Sequence, residues 1–318
     1  MKVQTYFQPL SLQYVFQASP TTVFDAWITK PVAELWLFKN KTNQLNFEAD
    51  IKEGGSFSVD EVDGEKQIDH WGTWLEIDRP NRLRFTLEVP KHFEGTSEVL
   101  LYVQETPAGT RLAFTQKDID VSKTKSAWEA MLARLNDLLV QPYLVTLESG
   151  ATEVIPAILV VAMQVVGLAR SFDEEKWNTV PYRGSWTPAQ LVRHLLKSVS
   201  GIGPLIEKPA APAERDPRER ILSLKQNFLD ITKRMQSPEF IIPEKMHYNK
   251  EALVKEFEAA LAPLTRMKTV NGNELITGLP LGPVTKLEII HFIFYHFQRH
   301  LIQMKRITEA LKLCEMLC

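Results

Sequence analysis

The chain is 318 residues long, 44% hydrophobic and 24% charged, with a formal net charge of -2, and this length accommodates two ordinary domains with separate cores. Acidic and basic residues are mixed throughout and no basic block stands out, which argues against nucleic acid or an anionic membrane as partner. The two cysteines, Cys314 and Cys318, sit at the C-terminal end, so a disulfide framework is excluded and a reducing, cytoplasmic compartment fits best.

From the N-terminus, residues 1–10 carry no charged-then-apolar signal pattern. Ser19 followed by Pro20 predicts a capped helix running through Val23, Phe24 and Trp27. Period-two runs then follow at Phe57–Val59, Trp71-Thr73-Leu75-Ile77, Leu83-Phe85-Leu87-Val89, Val99-Leu101-Val103 and Leu112–Phe114. Turn signals separate them at Glu53-Gly54-Gly55, Asp63-Gly64, Arg79-Pro80-Asn81 and Pro107-Ala108-Gly109. This predicts an antiparallel meander of about six strands. A helix over roughly Lys123–Val140 carries an apolar stripe of Trp128, Met131, Leu132, Leu135, Leu138 and Leu139. One such helix can cover a curved sheet, and the gap between them can hold an apolar ligand.

Beyond about Leu147 no strand pattern returns. Helices are predicted near 150–170, 187–200, 217–235, 249–265 and 284–312, which implies an antiparallel helical bundle. The first contains the most apolar stretch, Val154–Leu168. It is shorter than the ~20 residues of a spanning helix and carries Pro156 and Gln164, so it reads as a buried helix. A proline-rich connector spans Lys208–Pro217, and a glycine- and proline-bearing loop over Asn271–Pro283 leads into the last helix. The domain boundary is placed at 146/147, giving domains 1–146 and 147–318.

The last helix holds His296 and His300 four residues apart, so both imidazoles leave one face in neighbouring turns. Gln303 lies on nearly the same face and is a candidate to orient them. His291 is turned away. A third nitrogen must come from another helix, and His194 is the candidate, two turns into a helix opened by Thr187, Pro188 and Gln190 in a capping-box arrangement. Such histidines are either ligands of one divalent metal or hydrogen-bonded core residues, and pattern alone leaves both open. Imidazole suits Zn, Ni and Fe alike, and neutral rings are required, so metal affinity is expected to fall as pH drops through about 6. No general base is evident: Glu288 is off the histidine face, and Tyr182 and Tyr295 read as surface or packing. Cys314 and Cys318 read as ordinary thiols.

Three pieces of the second half resemble the DinB/YfiT-like family of four-helix-bundle proteins: Trp177-Asn-Thr-Val-Pro with Gly184-Ser-Trp186 through His194-Leu, the loop Leu281-Gly282-Pro-Val-Thr285, and the His296-Phe-Gln-Arg299-His300-Leu-Ile-Gln303 helix. The resemblance covers about 150–312. It implies a divalent ion on the triad His194, His296 and His300, with coordination positions left open. It also implies thiol-dependent S-transfer or hydrolysis on a small molecule, with a low-molecular-weight thiol among the partners and a homodimer left open.

The first half resembles the SRPBCC (START-like, helix-grip) superfamily, in the branch named for activators of a heat-shock-protein ATPase (AHSA). The similarity rests on Ala18–Trp27, Leu35-Trp36, Glu53–Phe57, Gly72–Ile77 with Arg79–Leu83, and Ser126–Glu129, and covers about 10–140. It implies an α+β fold, an antiparallel sheet wrapped on a long C-terminal helix around an apolar cavity. Trp36, Phe57, Trp71, Leu83, Phe85, Trp128 and Leu132 are the candidates for its wall, or simply core. His70 and His92 read as surface histidines. The combined expectation is a divalent-metal-dependent enzyme fused to an apolar-ligand-binding domain. The alternative is a non-enzymatic, stress-linked ligand-binding protein with a structural metal.

Overall fold

The structure is a computed structural model that describes residues 8–233 and 235–317, with side chains to Lys312. The chain forms two compact units, dividing between Val140 and Gln141.

The first unit is built on an antiparallel sheet. Its strands are β1 (Leu10–Phe16), β2 (Gln44–Ala49), β3 (Ser56–Asp63), β4 (Lys66–Asp78), β5 (Arg82–Leu87), β6 (Ser97–Thr106) and β7 (Gly109–Lys117). They lie in the order β1-β7-β6-β5-β4-β3-β2. Short helices α1 (Pro20–Asp25) and α2 (Lys30–Trp36) connect β1 to β2, and α3 (Val121–Leu144) closes the unit. The Ser19 hydroxyl caps α1 by accepting from the Thr22 N–H, with Pro20 at the first helical position. The expected stripe of α3 is buried throughout. Its Trp128 ring lies 4.5 Å from Phe114 and 6.0 Å from Trp27, and Trp128 Nε1 donates to Gln116 Oε1 at 2.9 Å.

Two expectations for this unit are corrected. Trp71 is 39% exposed and is no part of the interior. The inward residues of β4 are His70, Gly72 and Trp74. Gly72 is the cause of the misreading. A Cβ there would collide with the Thr86 carbonyl and the Phe57 ring, so the inner face carries a glycine and a histidine. The apolar alternation Trp71, Thr73, Leu75 therefore falls on the outer face. The same register buries His70 to 3% exposure, stacked on Phe38 with centroids 3.9 Å apart and its Nε2 3.3 Å from Glu61 Oε2. His92 is exposed.

The second unit contains α4 (Ala151–Arg170), α5 (Glu174–Trp177), α6 (Pro188–Glu207), α7 (Ile221–Leu229), α8 (Lys250–Leu261) and α9 (Lys286–Leu317). Helix α9 packs against α4, α6 and α7, and α8 packs against α6. Among the described residues only α4 is long and apolar enough to cross a membrane, and 67% of its apolar window is buried within the protein. A two-stranded hairpin pairs β8 (Leu275–Ile276), within the expected loop, with β9 (Val284–Thr285), at the start of the expected last helix. It delivers the chain into α9. There Thr285 Oγ1 accepts from the Glu288 N–H at 3.1 Å, and Glu288 Oε2 accepts from the Thr285 N–H at 2.9 Å, a reciprocal cap.

Candidate metal centre

His194 reaches its position because α6 starts where the capping residues stand. Thr187 Oγ1 accepts from the Gln190 N–H and Gln190 Oε1 from the Thr187 N–H, both at 3.1 Å. His194 then falls on the buried stripe with Leu191 and Leu195. From α9, His296 and His300 meet it. The Nε2 of His296 lies 3.0 Å from the Nε2 of His194 and 3.0 Å from the Nε2 of His300. All three ligand atoms fall within 4.8 Å of one another. The three residues are between 2% and 7% exposed.

The outer nitrogens are spoken for. His194 Nδ1 donates to the Ile241 carbonyl at 2.9 Å, and His300 Nδ1 donates to Gln303 Oε1 at 2.9 Å. In neutral rings each of these leaves an Nε2 lone pair facing His296. Burial keeps the rings neutral. It pushes His194 down to about 4, against an opposing hydrogen bond to Ile241. It also holds His296 and His300 well below the ordinary imidazole range, aided by the neighbouring rings. His296 Nε2 carries at most one proton, so at most one of the two 3.0 Å contacts is a hydrogen bond and at least one flanking Nε2 lone pair is left without a donor. Such an arrangement costs about 1–3 kcal/mol per unsatisfied group, and a shared cation removes the conflict. Spacing agrees. With metal–nitrogen bonds of about 2.1 Å, nitrogens at roughly right angles stand about 3.0 Å apart, and at the tetrahedral angle about 3.4 Å. Both His296 pairs match the right-angle spacing, and with all three nitrogens within 4.8 Å of one another a small inward turn of the rings brings the donor set onto one divalent ion.

Residues that sequence reasoning did not assign complete the surroundings. Trp186 lies 4.8 Å from His194 and nearly parallel to His300 at 6.3 Å, and Phe292 stacks on His296 at 5.3 Å. Phe228 meets His296 edge-on at 6.0 Å. Phe292 was detectable, because it precedes His296 by four positions on one helix face. Ile241 was not, since its contribution is a backbone carbonyl. The segment between α7 and α8 is tied down on both sides of the triad. Arg299 donates to the carbonyls of Phe228, Asp230 and Lys233, at 3.1, 2.9 and 2.5 Å. Glu244 pairs with Arg193 at 3.1 Å and Lys197 at 3.0 Å, and the Arg193 hydrogen bond leads in holding its carboxyl far below the usual range.

The residues set aside have structural partners. Glu288 is fully buried and bonded to Arg215 through both oxygens at 2.6 Å. His291 is buried, with Nε2 2.9 Å from the Ser149 carbonyl, and Tyr295 beside it is pushed up to about 12 by burial. Tyr182 is exposed. The side chains of Cys314 and Cys318 lie outside the described residues.

In the sheet unit, Phe57, Phe85 and Trp128 line a small interior space together with Trp27, Phe38 and Trp74. Trp36, Leu83 and Leu132 are buried core residues that do not border it. Trp71 lies on the opposite face. The free volume is about 10 Å³, room for a single water, so the expected cavity is filled by its own rings.

Comparison with known proteins assigns both regions. Residues 17–140 match the family model for Activator of Hsp90 ATPase homolog 1-like protein, and residues 158–304 match that of the DinB superfamily. The chain thus carries an AHSA1-type domain followed by a DinB-type domain. A solved protein from Chromobacterium violaceum is 20% identical, covering 41% of this chain and 96% of its own, with a TM-score of 0.38. One from Nitrosomonas europaea is 21% identical, covering 42% and 94%, with a TM-score of 0.36. An AHSA1-like protein from Aeromonas hydrophila is 18% identical, covering 41% and 90%, with a TM-score of 0.37. No curated protein matches the chain.

Proposed function

We propose that this protein is a divalent-metal-dependent enzyme of the DinB/YfiT type, acting on a small molecule by thiol S-transfer or hydrolysis. In this reading His194, His296 and His300 are the ligands in a four-helix-bundle domain, and Gln303 orients His300. The observation that carries it is the pair of 3.0 Å contacts from His296 Nε2 to the Nε2 atoms of His194 and His300, with all three ligand atoms within 4.8 Å of one another and both flanking rings held by their Nδ1–H groups. Three protein nitrogens leave positions for water or substrate, the arrangement of catalytic ions.

A bound ion would supply Lewis acidity and lower the pKa of a coordinated water or thiol. The chain's own residues do the rest. Ile241 and Gln303 fix the tautomers of His194 and His300, so that both present lone pairs inward. Trp186, Phe228 and Phe292 shield the triad from bulk water. Glu288 and Tyr295 are engaged elsewhere, so proton transfer falls to solvent or substrate. The helix-grip unit, taken as residues 1–146, would serve as an apolar-ligand domain only with displacement of its lining rings. The chemistry is therefore assigned to residues 147–318.

The low exposure of the triad favours a second reading, in which the ion only staples the bundle. An anomalous-scattering map of the metal-loaded protein separates the two. Solvent on the ion supports the enzyme; a fourth protein ligand with no solvent position overturns it in favour of the staple.

A further inference from the structure

The charges around the triad say what should bind there. Among the described residues no carboxylate is hydrogen-bonded or ion-paired to any of the three rings. The charged groups that bear on them are Lys197 and Arg299, both cationic. The nearby carboxylate on the connecting segment, Glu244, is already paired with Arg193 and Lys197. A dication held by three neutral imidazoles in these surroundings would keep its full charge. Desolvated in this way, it favours an anionic fourth ligand over a neutral one.

The walls say what shape that anion has. Two aromatic faces flank the rings, Trp186 against His194 and His300 and Phe292 against His296. Both are only half-buried. Beyond them the strap between α7 and α8 turns large apolar side chains to solvent: Phe240 is 63% exposed and Ile242 45%. This strap is anchored next to the site, through the Ile241 carbonyl on His194 and the Ile242 carbonyl on Lys197. Among the described residues, the side chain outside the triad that hydrogen-bonds to its rings is Gln303, which is occupied by His300, so a cation there would sit among flat apolar surfaces.

Resting on the metal reading above, we infer that the centre takes a small organic anion with an aromatic body, its anionic head on the ion and its ring against Trp186 and Phe292. A carboxylate and a thiolate are equivalent heads for this purpose. Stacking on aromatic side chains supplies the discrimination against aliphatic anions, and such contacts are worth about tenfold in affinity.

The test uses the full chain loaded with Co(II), whose visible spectrum reports coordination directly. The loaded protein is titrated with benzoate, acetate and benzamide. Benzoate is expected to shift the bands at about tenfold lower concentration than acetate, and benzamide, the neutral counterpart, to leave them unchanged. In Trp186→Ala the benzoate preference should collapse with Co(II) still bound one per chain, and Trp186→Phe should retain it. Should Trp186→Ala fail to fold, Phe292→Leu makes the same comparison. Equal affinities for benzoate and acetate, benzamide binding as tightly as benzoate, or a preference unaffected by both substitutions would overturn the inference. Absence of Co(II) bands from the native protein would instead overturn the metal reading beneath it.

Discussion

The two halves of the molecule bury rings to opposite ends. In the sheet half, Trp27, Trp74, Phe57, Phe85 and Trp128 converge until about 10 Å³ is left, and the rings satisfy one another by apolar contact. In the helical half, three imidazoles converge just as closely, yet their nitrogens cannot satisfy one another by hydrogen bonding alone. The contrast teaches where to look for chemistry. A filled aromatic interior is complete in itself, whereas a buried cluster of aligned lone pairs calls for an additional component.

If the sheet interior is packed in this way, removing a ring from it should be costly. Trp128→Ala is expected to destabilise the first unit by about 3–5 kcal/mol, read as loss of hydrogen-exchange protection in β6 and β7. A substitution tolerated with no change, accompanied by uptake of an apolar ligand, would show the interior to be a binding cavity. In the helical half the corresponding lever is Gln303. Gln303→Leu removes the acceptor for His300 Nδ1–H and should weaken metal binding by about 10- to 100-fold, measured by titration of the metal-stripped protein. Unchanged affinity would remove Gln303 from the site.

Each half also contains a buried histidine outside the triad, His70 and His291, and burial holds both below the ordinary imidazole pKa. The unfolded chain therefore binds more protons than the folded one as pH drops below about 6.5. Their contribution to stability is complete above that pH and is lost as the solution is acidified. Urea midpoints measured between pH 8 and pH 5 should fall, with a shallower slope in His70→Gln and His291→Gln. A midpoint that rises on acidification would contradict the assignment. The smallest effect concerns the outer sheet face: Trp71→Ser should alter stability by no more than about 0.5 kcal/mol, because Trp71 is exposed. A loss of several kcal/mol would return Trp71 to the interior.

Much of this arrangement was legible in the residues. The triad could be read because a four-residue spacing on α9 and a capping box that starts α6 both fix side-chain direction locally. The stripe of α3 could be read for the same reason. Legibility failed where tertiary contacts set the answer. Gly72 is required by the Phe57 ring and the Thr86 carbonyl, neither near it in sequence, and its presence inverted the apparent inner face of β4. The strands Leu10–Phe16 and Gln44–Ala49 alternate too weakly to stand out. Trp186 was visible as part of a motif, but its place beside two histidines from different helices depends on how α6 meets α9. The Ile241 carbonyl that fixes His194 belongs to a connector with no pattern of its own.

The central claim is that three imidazoles from α6 and α9 hold one ion. Elemental analysis of the protein purified without a histidine tag tests it most directly. About one divalent transition metal per chain is expected in the native protein, and none in His296→Ala. A native protein that takes up no stoichiometric Zn, Ni or Fe, or a metal content indifferent to His296→Ala, would contradict it.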